Sequence, residues 1–233
     1  MKNIEGLPPR RFFPPPDLAD PDGLVALGGS LSPEWLLDAY QHGIFPWPFC
    51  EDDEGPMAWW SPDPRGIIEL DGLRVSRRLR RTCRSGKFRV TCDQDFQGVI
   101  HGCATASGRV GQTWITPRMI GAYTRMHRLG YAHSIEVWHE GQLAGGLYGV
   151  ALGGLFAAES KFYRIRDASK VALVYLVAHL RSRGYTLLDI QLLTPHTARL
   201  GAVAIPRREY LARLAEAISL EVSFGQALEG ELP

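Results

Sequence analysis

The spacing of hydrophobic and polar residues predicts little regular structure in the first third of the chain and alternating strands and helices after it. Proline and glycine are frequent in the first third. One helix is predicted there, with Ser32 as its N-cap, Pro33 at its first position and Gly43 at its end. An apolar run at residues 66–70 predicts a short strand. Ser76 then caps a second predicted helix, in which most positions are basic.

The pattern from residue 87 onward predicts elements in the order β-α-α-β-β-β-α-β-α. They are a strand at 88–92, helices at 95–104 and 117–129, strands at 133–138, 142–152 and 155–159, a helix at 168–183, a strand at 187–191 and a helix at 207–218. Turn residues separate the three central strands, which are therefore predicted to form hairpins. The same order is found in N-acetyltransferase-like (GNAT) folds, which is an analogy at the level of fold.

The composition is typical of a soluble globular protein with one large domain or two small ones. Of the 233 residues, 45% are hydrophobic and 22% are charged, and the formal net charge is +1. The chain shows no apolar run long enough to span a membrane, no signal peptide, no C-x-x-C pair and no metal-site spacing. We therefore expect a cytoplasmic protein with reduced cysteines, no metal and no membrane contact.

Charge is distributed unevenly in the first part of the chain. Residues 12–64 contain ten Asp or Glu and neither Lys nor Arg. Residues 74–87 contain no acidic residue, and their basic residues are Arg74, Arg77, Arg78, Arg80, Arg81, Arg84 and Lys87. Such a run is often a solvated helix face, but its members repel one another without a polyanion. We therefore predict that it contacts nucleic-acid phosphates.

Three of the six tryptophans, Trp47, Trp59 and Trp60, lie within fourteen positions, and each is close to a proline. Because proline restricts the backbone, these rings are expected on stiff, irregular segments. A tryptophan held in this way either fills the core of a small domain or offers a flat face on which a nucleobase stacks. The sequence pattern leaves both interpretations open.

Three polar residues at the ends of predicted strands are candidates for catalysis. Glu159 ends one strand, and Asp189 and Gln191 lie two apart on another, so the latter two are predicted to share a face. Polar residues on a buried strand are costly unless they are hydrogen-bonded, so both a structural network and an active site explain them. A carboxylate and an amide would be able to hold an amine for attack on an ester carbonyl.

Two common kinds of enzyme are disfavoured by the sequence. In a GNAT-like layout, the loop before the long helix would bind a pyrophosphate through glycine-rich backbone, but residues 160–167 contain no glycine. This counts against an enzyme that uses a CoA thioester. His127, His133 and His196 do not stand at a spacing that suggests a nucleophile–base pair, so core or loop positions are favoured for them.

Several short segments, each weak evidence by itself, form a specific pattern in order along about 200 residues. They are GLVALGGSLSPE at 23–34, AY at 39–40, GIFPW at 43–47, WWSPDPR at 59–65, TWI at 113–115, HSIEVW at 133–138, GGLYG at 145–149, ES at 159–160, ASK at 168–170, DIQ at 189–191 and LGA at 200–202. With these segments the chain closely resembles the bacterial leucyl/phenylalanyl-tRNA–protein transferases.

The resemblance implies an enzyme that moves Leu or Phe, with Met as a further candidate, from aminoacyl-tRNA to the N-terminal amine of proteins beginning with Arg or Lys. This reaction marks those proteins for degradation in the N-degron pathway and uses no cofactor. The resemblance also implies an α+β fold in which a small N-terminal domain, placed at residues 1–86, packs on a GNAT-like catalytic domain at residues 87–233.

The resemblance further implies a role for individual residues. Trp47 and Trp114 would line the site of the terminal adenosine of the tRNA, and the basic run at 74–87 would meet the acceptor stem. The predicted catalytic residues are Glu159, Asp189 and Gln191. The remaining predicted substrate-binding residues are Ser160, Lys161, Phe162 and Ile190.

The chain departs from the family pattern beside the site expected to hold the transferred side chain. The family usually has FGESMFS where this chain has AAESKFY at 157–163, so Ala158, Lys161 and Tyr163 replace glycine, methionine and serine. The stem of Lys161 would line the pocket while its ammonium reaches water or phosphate, which preserves Leu and Phe transfer. Otherwise the pocket is rebuilt for another aminoacyl group. We expect the first outcome because the rest of the pattern is intact.

Two other functions remain as alternatives. One is a CoA-dependent N-acyltransferase of the same fold, against which the glycine-free loop argues. The other is a tRNA-binding protein without activity, against which the retention of Glu159, Asp189 and Gln191 argues.

Overall fold

A computed structural model describes residues 9–48, 55–106 and 113–232, so Cys50 and the start of the chain lie outside the described residues. The helices are α1 (Pro33–Gln41), α2 (Arg77–Arg84), α3 (Phe96–Thr105), α4 (Pro117–Arg128), α5 (Ala168–Ser182), α6 (Pro195–Arg199) and α7 (Arg207–Ile218). The strands are β1 (Leu24–Leu27), β2 (Phe45–Pro48), β3 (Met57–Trp60), β4 (Arg65–Ile68), β5 (Arg89–Cys92), β6 (Ala132–His139), β7 (Gln142–Leu152), β8 (Leu155–Tyr163), β9 (Leu187–Gln191) and β10 (Val203–Ile205).

The strands form two sheets. A three-stranded antiparallel sheet has the order β1-β3-β2, and a seven-stranded sheet has the order β10-β4-β9-β8-β7-β6-β5. All neighbouring strands of the larger sheet are antiparallel except β8 and β9, which are parallel. The predicted α+β class is confirmed. The element order predicted from residue 87 onward is also found, with α6 and β10 added before the last helix.

Helices cover both faces of the large sheet. Residues of α1, α3 and α4 pack on one face together with the small sheet, and α5 and α2 pack on the other. Helix α2 begins as predicted, because the Ser76 hydroxyl accepts a hydrogen bond from the Leu79 backbone N–H, and Leu79 and Cys83 are buried. None of the helices in the described residues is long and apolar enough to cross a membrane.

The two sheets do not divide at the predicted domain boundary. Strand β4 lies between β10 and β9 in the large sheet, and α2 packs on α5, although both precede residue 87. By membership of the sheets, the small N-terminal unit therefore ends before β4. The boundary after residue 86 stays a prediction.

Candidate active site

A cavity opens where β8 and β9 separate. The two strands pair only at Leu155 with Leu187, Phe156 with Leu188 and Ala157 with Asp189, while β8 continues to Tyr163. Beyond the last pair lies a cavity of about 720 Å³, which we call the central cavity. It lies within the size range of pockets that enclose small-molecule ligands.

Most of the predicted catalytic and substrate-binding residues line the central cavity. They come from separate segments of the chain and are Trp47, Trp114, Glu159, Ser160, Lys161, Ile190 and Gln191. Asp189 and Phe162 do not line it. The structure thus brings the two tryptophans to the same cavity as the polar residues of β8 and β9.

The tryptophans of the proline-rich segments have different environments. Trp59 is fully buried in the core, and its indole N–H donates to the Gly28 carbonyl at 2.8 Å. Trp47 is 39% exposed and stacks on Trp114, with ring centroids 4.9 Å apart and an angle of 22° between the planes. The core interpretation is therefore confirmed for Trp59, and stacking of a base on Trp47 stays a prediction. Trp47 and the partly buried Trp114 offer aromatic surface at the cavity.

Glu159 is directed by a β-bulge. Tyr148 pairs with Ser160 and Gly149 pairs with Ala158, so Glu159 is the extra residue on β8. Its Oε1 accepts from the Gln191 side-chain Nε2 at 3.2 Å, and its Oε2 accepts from the Tyr123 hydroxyl at 3.0 Å. The bulge thus places the Glu159 carboxylate where it forms hydrogen bonds with Gln191 of β9 and Tyr123 of α4.

Burial raises the pKa of Glu159 to about 7, although hydrogen bonds from Tyr40 and Tyr123 act in the opposite direction. The charge of Asp189 raises the pKa further, and that of Arg65 lowers it. The Tyr40 and Tyr123 hydroxyls are 2.5 Å apart and buried, so a chain of hydroxyls leads from the core to Glu159. A carboxyl group with this pKa is suited to accept a proton near neutral pH.

Asp189 is held in a buried ion pair. Its carboxylate accepts from Arg65 Nε at 2.9 Å and from Arg65 Nη2 at 2.6 Å, and both side chains are 1% exposed. The same carboxylate accepts from the Tyr210 hydroxyl and from the Gln191 backbone N–H, each at 2.9 Å. Asp189 is therefore fully hydrogen-bonded by the protein.

Asp189 and Gln191 have different surroundings, although both interact with Glu159. Gln191 has a φ of 58°, in the left-handed region, and the register of β4 and β9 shifts between Gly66 and Ile67. Gln191 lines the central cavity, whereas Asp189 contacts Arg65 and Tyr210. That the two side chains share a face stays a prediction. Neither Arg65 nor Tyr210 was singled out from the sequence as a partner of Asp189.

The prediction for Phe162 requires correction. Its side chain is 2% exposed, and its ring lies so close to Gly102 of α3 that a Cβ there would overlap it. Because side chains alternate along β8, Lys161 and Tyr163 face the cavity and Phe162 faces the core. Phe162 therefore supports the sheet and does not line the central cavity.

One end of the central cavity is apolar. It is lined by Ile68, Leu147, Ala158, Leu173 and Ile190. Lys161 and His196 also line the cavity, and the pKa of His196 is lowered by burial and then by the charge of Lys161.

Family models match the chain on both sides of the junction between β3 and β4. The model described as leucyl/phenylalanyl-tRNA protein transferase N-terminal domain matches residues 29–63. The model described as leucyl/phenylalanyl-tRNA protein transferase matches residues 67–215. The chain belongs to this family.

Individual relatives agree with the family models. The leucyl/phenylalanyl-tRNA–protein transferase of Anaeromyxobacter sp. (strain Fw109-5) is 55% identical over 92% of this chain and 91% of its own length. Among solved structures, the C-terminal domain of a protein named lysylphosphatidylglycerol synthetase from Agrobacterium fabrum has a TM-score of 0.45 at 12% identity, over 86% of this chain and 73% of that chain. A GCN5-related N-acetyltransferase from Kribbella flavida has a TM-score of 0.35 at 12% identity, over 75% of this chain and 61% of that chain.

In this transferase, three backbone amides at the turn between β8 and α5 are used within the fold. The N–H groups of Arg164 and Ile165 donate to the Ala144 carbonyl, and that of Ala168 donates to the Ile165 carbonyl. Within residues 9–48, 55–106 and 113–232, no three His, Cys, Asp or Glu side chains form a group that would hold a metal ion.

The basic run lies on the surface of the transferase. Its seven basic residues are all exposed, and they extend from the segment before α2 to the segment after it. Arg78 Nη2 donates to Asp167 Oδ2 at 2.7 Å, which ties α2 to the start of α5. Contact of this surface with tRNA stays a prediction.

Proposed function

We propose that this aminoacyltransferase moves Leu or Phe from aminoacyl-tRNA to the N-terminal α-amine of proteins that begin with Arg or Lys. This would mark those proteins for degradation in the N-degron pathway of the cytoplasm. The observation that carries the proposal is the convergence of Trp47, Trp114, Glu159 and Gln191 on one cavity. The cavity combines aromatic faces, an apolar end and a proton acceptor.

The donor is proposed to bind across the cavity. The terminal adenine would stack on Trp47 or Trp114, and the aminoacyl side chain would occupy the apolar end lined by Leu147, Leu173 and Ile190. The ester carbonyl would then lie between them, beside Glu159. Exposed arginines of α2, among them Arg77, Arg80 and Arg81, would contact the phosphates of the acceptor stem.

The acceptor amine is proposed to bind between Glu159 and Gln191. Since Gln191 Nε2 donates to Glu159, the Oε1 of the same amide remains to accept a hydrogen bond from the amine. The amine nitrogen attacks the ester carbonyl, a C–N bond forms, and the C–O bond to the ribose breaks. Glu159 takes the proton from the amine and returns it to the ribose oxygen, which leaves as a hydroxyl. No covalent intermediate with the protein is needed, because the ester is already activated.

Two features support a basic first residue in the acceptor. Residues 12–64 carry ten acidic and no basic residues, so this part of the chain attracts cations. A second cavity of about 230 Å³ is lined by Asp22, Phe45, Trp47 and Trp60. Aromatic faces beside a carboxylate favour an ammonium or guanidinium group.

Mass spectrometry of a reacted peptide tests the proposed function. A peptide beginning with Arg, incubated with the protein and total charged tRNA, is expected to gain the mass of Leu or Phe. The matched peptide beginning with Glu is expected to remain unchanged. Absence of any added residue on every peptide would refute transfer, and equal labelling of both peptides would refute the basic acceptor.

Trp47→Ala is expected to raise the KM for aminoacyl-tRNA by about tenfold or more, because stacking of a base on an aromatic ring contributes about 1–3 kcal/mol. Trp47→Phe keeps an aromatic face and is expected to retain most of the affinity. Steady-state kinetics and thermal unfolding of both variants check this. If Trp47→Ala mainly lowers Tm, the residue packs the fold and does not bind the donor.

Lys161 decides the preferred donor. We expect Leu- and Phe-tRNA to outcompete donors charged with acidic residues, because the apolar end gains about 25 cal/mol per Å² of aliphatic surface buried. Lys161→Met restores the family residue and is expected to raise kcat/KM for Leu and Phe several-fold. Competition among tRNAs charged with Leu, Phe, Met, Asp and Glu measures both effects. Preferred transfer of Asp or Glu would overturn the specificity while leaving the reaction class intact.

A further inference from the structure

A third cavity of about 220 Å³ lies beside the central cavity and is strongly basic. We call it the cationic pocket. Its polar lining consists of Arg74, Ser76, Arg78, Lys170, His196 and Arg199, together with the carboxylate of Asp167. Lys170, His196 and Arg199 lie outside the basic run that the sequence singled out.

Contacts between three segments bring these cations together. The Arg74 backbone N–H donates to the Leu200 carbonyl at 2.9 Å, which holds Arg74 beside the end of α6 that carries Arg199. Asp167 accepts from Arg78 Nη2 at 2.7 Å and from Lys170 Nζ at 3.3 Å. The pocket is therefore assembled by the fold and is not a chance cluster on one helix.

Among the residues that the structure describes, the positive charges of the cationic pocket are not balanced by carboxylates. Four permanently cationic side chains face a single carboxylate, Asp167. The pKa of His196 is lowered by burial and then by the positive charges of Lys161, Lys170 and Arg199. The Ser76 hydroxyl accepts from the Leu79 N–H, so its own hydrogen remains to be donated. Such a set of donors and cations fits a phosphate group.

The cationic pocket is continuous with the central cavity. Asp167, Lys170 and His196 line both. A nucleotide donor whose terminal adenosine occupies the central cavity carries a phosphodiester on the next link of its backbone. That phosphodiester is the nearest anion that such a donor would present to the pocket.

We propose that the cationic pocket binds the phosphodiester that joins the terminal adenosine of the donor to the preceding nucleotide. This rests on the proposed function, since the donor is an aminoacylated RNA. Lys170 and Arg199 would then fix the ribose and, through it, the ester carbonyl beside Glu159. The exposed face of α2 would act separately, on more distant phosphates.

Donors of increasing length test the proposal. The probes are 3′-leucyl-adenosine, which has no phosphodiester, 3′-leucyl-cytidylyl-adenosine, which has one, and leucyl-tRNA. Lys170→Ala and Arg199→Ala are expected to lower kcat/KM about tenfold for the second and third donors, because charge-assisted hydrogen bonds are lost. Arg199→Ala, whose side chain lines the cationic pocket and not the central cavity, is expected to leave kcat/KM for leucyl-adenosine unchanged.

Matched controls distinguish binding of a phosphodiester in the cationic pocket from general electrostatic attraction between the RNA and the protein. Arg80→Ala, on α2 but outside the pocket, is expected to weaken use of leucyl-tRNA and not of the dinucleotide. Arg208→Ala, an exposed arginine of α7 that lines none of the three cavities, is expected to change nothing. Arg199→Lys retains the charge and is expected to recover most of the lost activity with the dinucleotide.

Three results would overturn the proposal: use of leucyl-adenosine by the wild-type protein as efficiently as the dinucleotide, an equal loss of activity with both donors in Arg199→Ala, or competition of acetyl-CoA with leucyl-adenosine that Arg199→Ala abolishes. Failure of the wild-type protein with every donor would instead refute the proposed function. Transfer from leucyl-adenosine by all variants shows that each remains folded, so the outcomes are distinguishable.

Discussion

Replacing Glu159 with glutamine is expected to lower kcat/KM for transfer by about 10²- to 10⁴-fold, the range by which a positioned general base accelerates a reaction. The substitution keeps the shape of the side chain, and glutamine is able to accept the hydrogen bond from Tyr123. It removes the capacity to take a proton from the attacking amine and one of the two acceptor oxygens, so the Gln191 amide must turn and accept from the new NH₂ group. Single-turnover kinetics with saturating aminoacyl-tRNA measures the chemical step directly.

Glu216→Gln is the matched control for Glu159→Gln, because Glu216 is an exposed glutamate on α7 and lines no cavity described above. It is expected to leave transfer unchanged. A Glu159→Gln variant that retains wild-type kcat would exclude Glu159 as proton acceptor. Deprotonation of the amine before binding would then be sufficient, and Gln191 would act by orientation alone.

The pH dependence gives an independent check on Glu159. Its pKa is raised to about 7, so the ionised, active form accumulates as pH rises through 7. The pH–rate profile of the wild type is therefore expected to contain an inflection near 7 that Glu159→Gln lacks. Tyr123→Phe removes a hydrogen bond that lowers the pKa of Glu159, so it is expected to move this inflection to higher pH.

Stability should depend on pH in the opposite direction to activity. The folded protein binds the Glu159 proton more tightly than the unfolded chain does, since burial raises its pKa from 4.5 to about 7. The contribution of Glu159 to the free energy of unfolding is thus fully present below about pH 4.5 and is lost as pH rises through 7. Chemical denaturation at pH 5 and pH 8 is expected to show Glu159→Gln gaining stability relative to the wild type at the higher pH.

The regular part of the fold was predictable because its signals are local. Ser76 and Thr116 cap α2 and α4 with side-chain hydrogen bonds, and the central strands are separated by turn residues. The small sheet was missed because its strands have four residues each and β2 contains two prolines. Proline is tolerated there because β2 is an edge strand, and only the sheet topology shows that.

The candidate site was predictable in its residue types but not in its geometry. Glu159 and Gln191 were found because polar residues at the ends of buried strands need an explanation. The β-bulge at Glu159 and the left-handed φ of Gln191 depart from regular strand geometry, and no local sequence signal indicates either. The partner of Asp189 is Arg65, 124 residues away, and no local pattern indicates such a pairing.

Arg65→Met is expected to destabilise the protein by about 3–5 kcal/mol, because it leaves the buried carboxylate of Asp189 without its counter-charge. Arg65 also donates to the Gly43 carbonyl, and its guanidinium lies 4.5 Å from the ring centroid of Tyr210. Arg181→Met breaks the exposed ion pair with Asp71 and is expected to cost about 0–1 kcal/mol. Urea denaturation of the two variants measures the difference.

A combined variant separates the structural role of Asp189 from its role in the site. Replacing the pair and its hydroxyl partner together, as Arg65→Met, Asp189→Leu and Tyr210→Phe, removes both charges of the buried ion pair and is expected to recover most of the lost stability. Activity is not expected to recover, because the Gln191 backbone N–H loses the acceptor that holds Gln191 in its left-handed conformation. Asp189 would thus be a positioning residue that acts through Gln191.

The kinetic signature distinguishes this positioning role from loss of fold or of donor binding. In the combined variant kcat is expected to fall while the KM for aminoacyl-tRNA stays near the wild-type value, since Trp47, Lys170 and Arg199 are untouched. Asp189→Asn with Arg65 retained should show the same pattern to a smaller degree, because the amide oxygen still accepts from the Gln191 N–H. Recovery of both stability and kcat in the combined variant would show that the buried ion pair serves stability alone and that Gln191 is placed by the bend of β9 itself.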